Sequence, residues 1–146
     1  MTEDGPGNES AAFMRKAERA CESARPLLDA GDADGACNRA YYAMFDAARA
    51  ATLDQTDARD DGPPRTHRGV LRRFSEKLVI PEHVSLEAGR ALRRAETLRS
   101  LADYRDRSVG QDDARFAVEQ AEAFMKEVTR YLDGSRMAGD GSDGYV

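Results

Sequence analysis

"NRAYYAMFDAARAA", residues 38–51, decides how this chain is read. Six of its residues are alanine, the strongest helix former, and neither proline nor glycine interrupts it. On a helical wheel of about 100° per residue, Cys37, Ala40, Tyr41, Met44, Phe45, Ala47, Ala48 and Ala51 fall in one broad arc. That arc is a core face, and its small side chains let a neighbouring helix approach closely. Arg39, Tyr42, Ala43 and Asp46 fall on the other side. Two readings of that side stay open. It is a solvated face with spaced charges, or it is a polar site in which Tyr42 lies beside Arg39 and Asp46.

The rest of the chain sets bounds on both readings. Its 146 residues fit one domain, and 40% hydrophobic residues suffice for one core. A net charge of −5 and a pI near 5.1 exclude a global basic field that would draw the protein to nucleic acid. A local patch remains open, because the 22 Lys and Arg are almost all Arg. There is no apolar run of about 18 residues, so no membrane span is expected. The first residues, "MTEDGPGNES", are acidic and polar, unlike a signal peptide, so a cytoplasmic location is expected. Cys21 and Cys37 sit in apolar helical registers and read as small core residues rather than a disulfide or metal pair.

The patterning is all-helical, with no strand-like alternation. Residues 1–9 are expected to be a flexible leader, 10–133 one helical domain and 134–146 a disordered tail. Ser10 is placed as the cap of a first helix that runs to about Leu28 and ends near Gly31, its last turn weakened by Pro26. Asp32 or Asp34 caps a second helix, to about Leu53. A turn-rich acidic loop, "DQTDARDDGPPRT", leads to Thr66, the cap of a short third helix over "HRGVLRRFSEKL". Pro81 breaks the chain there, Ser85 caps a fourth helix reaching about Arg107, and a fifth runs from about Asp112 to Leu132. These alanine-rich helix pairs also leave a tetratricopeptide-like scaffold open.

The fourth helix carries the sharper question. Ala88, Leu92, Ala95 and Ala102 share one stripe with Arg99, and Asp103 lies four residues further on, within reach of the guanidinium. An arginine on an apolar face needs a partner, so a buried Arg99–Asp103 pair is expected. Functionally, Arg99 is then a phosphate-binding cation steadied by Asp103. The run "RALRRAETLR" adds Arg90, Arg93 and Arg94, as a solvated face or as a contact for RNA or an acidic partner.

Three segments in order, "NRAYYAMFDAARAA", "THRGV" and "RSLADY", resemble the motifs of a stand-alone HEPN domain, over about residues 11–133. Arg39, Tyr41, Tyr42, Phe45, Ala47, Ala48 and Arg49 match the first motif. His67, Gly69 and Val70 match the second, and Arg99, Ala102, Asp103 and Tyr104 the third. The resemblance implies an all-α, up-and-down bundle of four to five helices that pairs as a two-fold homodimer. It also implies a nucleotidyltransferase partner in a toxin–antitoxin-type pair. Active members are metal-independent RNases, in which an Arg is followed four to six residues on by a His. The Arg binds the scissile phosphate, and the His moves the proton for attack by the ribose 2′-OH.

This sequence departs from that pattern. The fourth to sixth residues after Arg99 are Asp103, Tyr104 and Arg105, and the only histidines are His67 and His83. Tyr104 is a poor general base, with a reference pKa of about 10. The candidate catalytic residues are therefore Arg99, Asp103 and Tyr104. Arg99, Arg39 and His67 are candidates for phosphate or RNA, with Tyr42 and Asp46 in support. His67, beside the Thr66 cap, reads equally as a capping or surface residue. The expected function is binding of RNA or nucleotide phosphate together with the partner protein. The alternative is an RNase that uses Arg99 with Asp103, Tyr104 or His67. No glycine-rich phosphate loop and no zinc-type spacing occurs, so neither cofactor nor metal is expected.

Overall fold

The computed structural model describes the backbone of residues 6–55, 62–105 and 108–143, and the side chains of these except 6–8, 102, 104, 105 and 136–143. Five α-helices form: α1 (Pro6–Asp29), α2 (Ala33–Asp54), α3 (His67–Phe74), α4 (Leu86–Arg105) and α5 (Gln111–Asp143). No strand occurs among the described residues.

The opening stretch is the centre of the bundle, enclosed by α1, α3, α4 and α5. From Ala36 to Thr52 only Asn38, Arg39, Tyr42 and Arg49 are not fully buried. The expectation of a polar outer side therefore fails for Ala43 and Asp46, both of which are buried. Four neighbouring helices leave α2 only a narrow open strip, that of Asn38, Arg39, Tyr42 and Arg49. The same enclosure removes the tetratricopeptide-like scaffold, whose helix pairs stack in one dimension. Against α2, α1 lays the buried stripe Met14, Ala17, Ala20, Ala24 and Leu28. Alanine facing alanine brings the two backbones close, and Ser10 donates its hydroxyl to the Ala50 carbonyl at 2.9 Å.

That bond corrects the role expected of Ser10. α1 begins four residues earlier, at Pro6, a residue suited to a first helical turn because its missing N–H is not needed there. Pro26 does not stop the helix either, which continues to Asp29. The stop comes from Gly31, at φ +84. There the Asp32 N–H donates to the Leu27 carbonyl at 2.9 Å and the Gly31 N–H to the Leu28 carbonyl at 3.0 Å, a Schellman closure that needs a left-handed residue. Asp32 then opens α2, accepting from the Gly35 N–H at 2.9 Å.

Thr66 caps α3 by accepting from the Gly69 N–H at 2.9 Å. After Phe74 the helix widens into one π-type turn, Ser75–Val79, before the break at Pro81. Ser85 caps α4, its hydroxyl accepting from the Ala88 N–H at 3.1 Å. α5 runs on through Gly134, where a tail was expected, because Tyr131 and Ser135 hold that turn to Asp54 at 3.3 and 2.9 Å. Most of the loop between α2 and α3, residues 56–61, and residues 1–5 and 144–146 at the ends lie outside the described residues.

Candidate functional site

α2 presents Tyr41, Tyr42 and Phe45 on adjacent turns, and α3 begins with its first residue against them. Tyr41 is fully buried, and its hydroxyl pairs with Nδ1 of His67 at 2.8 Å. The His67 ring stacks on Phe45 at 4.2 Å between centroids and on Tyr41 at 5.8 Å. Tyr42 closes the group edge-on, 5.0 Å from Tyr41. Burial, together with the charge and hydrogen bonding of Glu96, pushes the Tyr41 phenol far above its ordinary value. It stays protonated, so its hydroxyl donates to Nδ1 of one ring tautomer and accepts from the other. The Thr66 cap fixes the start of α3, and with it the position of His67.

Arg99 comes to this group from α4. Its guanidinium lies over the Tyr41 ring at 4.9 Å. Nη1 donates to Asp103 at 3.1 Å and Nη2 to Glu96 at 3.1 Å. The expected Arg99–Asp103 pair exists, but it is not buried. The Asp103 side chain is 69% exposed against 20% for Arg99, and the more enclosed partner is Glu96, at 28%. Asp103 stands in solvent near the end of α4. Nε of Arg99 is buried and has no hydrogen-bond partner among the described residues. A buried donor left open in this way is rare.

Beside this group, α3 and α4 enclose a cleft of about 580 Å³ lined by Arg68, Leu71, Arg72, Arg93, Glu96 and Thr97. Glu96 is its link to Arg99. Four guanidiniums, those of Arg68, Arg72, Arg93 and Arg99, thus face two carboxylates, Glu96 and Asp103. The local balance is positive on a chain whose total is −5.

Arg39, Tyr42 and Asp46 belong elsewhere. They line a groove of about 330 Å³ between α1 and α2, with Lys16, Arg19 and Ser23 opposite. Arg39 bonds Asn38 through Nε and Nη2 and lies over Tyr42 at 5.6 Å. Burial raises the Asp46 carboxyl, while Lys16, Arg49, Arg39 and His67 pull it down. The site residues read from sequence therefore divide between two places, with Tyr42 in contact with both. Tyr104 stands on the last turn of α4, and its side chain lies outside the described residues.

A family model of the HEPN domain matches residues 10–131. The chain belongs to the HEPN family. A UPF0332 protein of Gloeobacter violaceus is 32% identical over 122 residues, covering 82% of this HEPN chain and 93% of that protein. A UPF0332 protein of Archaeoglobus fulgidus is 32% identical over 126 residues, with coverage of 84% and 94%. A protein of Methanocaldococcus jannaschii, 27% identical over 121 residues with coverage of 83% and 87%, is named as a candidate toxin.

Sequence reading missed three parts of this HEPN site. Glu96 had a signal: it precedes Arg99 by three residues, one turn along the same face. Arg68 and Arg72 had none, since nothing in the order of residues sets α3 against α4. The approach of His67 to Tyr41 spans 26 positions and depends on how the loop closes.

Proposed function

We propose that this HEPN protein is the toxin-type member of a two-component pair, a cytoplasmic homodimer that binds RNA or nucleotide phosphate and docks with a nucleotidyltransferase. The observation that carries the proposal is the unpartnered Nε of Arg99 beside an arginine-lined cleft. The guanidinium forks of the cleft match phosphate geometry. The naming of one relative as a candidate toxin, and the family resemblance in the three motifs, support the partner assignment. An adjacent nucleotidyltransferase gene, and co-purification of its product, would test that part.

Binding without efficient cleavage is the expected behaviour. No His follows Arg99 at the family spacing, and general acid–base help is worth about a hundredfold to ten-thousandfold. Asp103 is solvated and paired to Arg99, which makes it a weak base. The second reading, a metal-independent RNase, draws on the contact between His67 and Tyr41 under Arg99. Incubation of the pure protein with mixed cellular RNA and a chelator, beside Arg99→Ala, separates the two. Retention of RNA that disappears in the variant, without cleavage, is expected. Robust cleavage that disappears in Arg99→Ala and in His67→Ala would establish the RNase.

A further inference from the structure

The groove between α1 and α2 is lined by a largely buried carboxylate, Asp46. The residue is 8% exposed. Among the described residues its ion-pair contact is Arg49, at 4.0 Å, the outer limit of such a pair. A carboxylate has room for several donors. Asp46 lines a groove whose volume, about 330 Å³, lies within the usual range for small-ligand sites. Lys16, Arg19 and Arg39 stand around it, and the Tyr42 ring, 5.6 Å from the Arg39 guanidinium, lines it as well.

A ligand suited to this groove carries an anion for three cations, a flat ring for Tyr42, and two adjacent donors for Asp46. Of the four RNA bases, guanine alone offers two neighbouring donors, N1–H and the 2-amino group, on its Watson–Crick edge. Cytosine and adenine each offer one amino group, and uracil a single N–H. Unpaired bases are typically read in this way, by stacking on aromatic or guanidinium planes and by hydrogen bonds to that edge. We propose that the groove takes an unpaired guanosine of single-stranded RNA, with Asp46 selecting the base and Lys16, Arg19 and Arg39 holding the flanking phosphates. The proposal rests on the reading of this chain as an RNA-binding protein. It adds a specificity-determining residue in a groove separate from the Arg99 cleft.

The test is fluorescence anisotropy of the full-length protein with labelled RNA pentamers UUGUU, UUAUU, UUCUU and UUUUU. A bidentate base contact predicts a preference for UUGUU on the order of tenfold or more. Inosine in place of guanosine removes the 2-amino donor and should remove most of that preference, with no change to the protein. Asp46→Asn, which keeps the shape, should abolish the preference for UUGUU over the other three pentamers. Arg19→Ala should weaken all four pentamers alike. Equal binding of all four, a preference that survives inosine or Asp46→Asn, or free GMP competing as well as UUGUU would each overturn the proposal. If pentamers bind equally but depend on Arg99, this inference alone has failed. If none binds, the RNA reading has failed with it.

Discussion

Removing Asp103 should barely affect stability, whereas removing Glu96 should matter, although both carboxylates sit 3.1 Å from the same guanidinium. Distance does not separate them, but solvent does. Asp103 is 69% exposed, so its attraction to Arg99 is screened by water and offset by the entropy of holding two side chains. Pairs of this kind contribute under about 1 kcal/mol. Glu96 is 28% exposed, bonds a guanidinium that is 20% exposed, and also accepts from Ser100 at 3.2 Å. A partly enclosed hydrogen bond to a charged group is worth roughly 1.5–3 kcal/mol. Glu96→Ala is therefore expected to cost about 2 kcal/mol and Asp103→Ala less than about 1 kcal/mol. For a chain of this size each kcal/mol moves the melting temperature by about 2–4 °C. Urea melts followed by far-UV circular dichroism, at one fixed protein concentration, give both values. A cost for Asp103→Ala equal to that for Glu96→Ala would mean that solvent does not decide between the two partners, and the ranking would be refuted.

Burial, followed by the charges of Asp34 and Asp113, pushes the Cys37 thiol from an ordinary 9.0 to about 11. The fold keeps a proton that the unfolded chain gives up, so this contribution is fully present below about pH 9 and is lost as pH rises towards 11. Urea melts at pH 8 and pH 10.5 should show the decline, part of it absent in Cys37→Ala; an unchanged midpoint would contradict the sign. At pH 8 the native Cys37 should react with a thiol reagent far more slowly than the half-buried Cys21, and equal rates would count against the burial of Cys37. Asp32→Ala and Thr66→Ala each remove a side-chain cap and should each cost about 1 kcal/mol; a change within a few tenths in either melt would show that cap to be dispensable. Light scattering should give a dimer mass. The alanines of α2 are consumed inside one chain, so the large apolar side chains left exposed among the described residues are Ile80, Leu86, Leu101 and Phe116, and a monomer mass across micromolar concentrations would remove the homodimer.

The sequence by itself determined the helices and most of their ends. Helix formation and capping are local, so Asp32, Thr66 and Ser85 could be read from their own few neighbours, and the spacing of "RAYYAMFDAAR" carried the family. Locality also explains the errors at the ends. Ser10 resembles a cap but is drawn to Ala50, 40 residues away, and Gly134 resembles a stop but is held in helix by neighbours that bond Asp54. The tertiary structure decided which faces are buried. A wheel assigns one inner and one outer side, whereas four neighbouring helices leave α2 only a narrow open strip, which moved Asp46 from a solvated stripe to the lining of a groove. It also decided which carboxylate serves Arg99. Glu96 and Asp103 are equivalent in sequence, one turn before and one turn after the arginine, and only the packing of α4 on the bundle leaves the first enclosed and the second in water. Burial is a property of what lies opposite a residue, and what lies opposite is set by contacts between segments far apart in the chain.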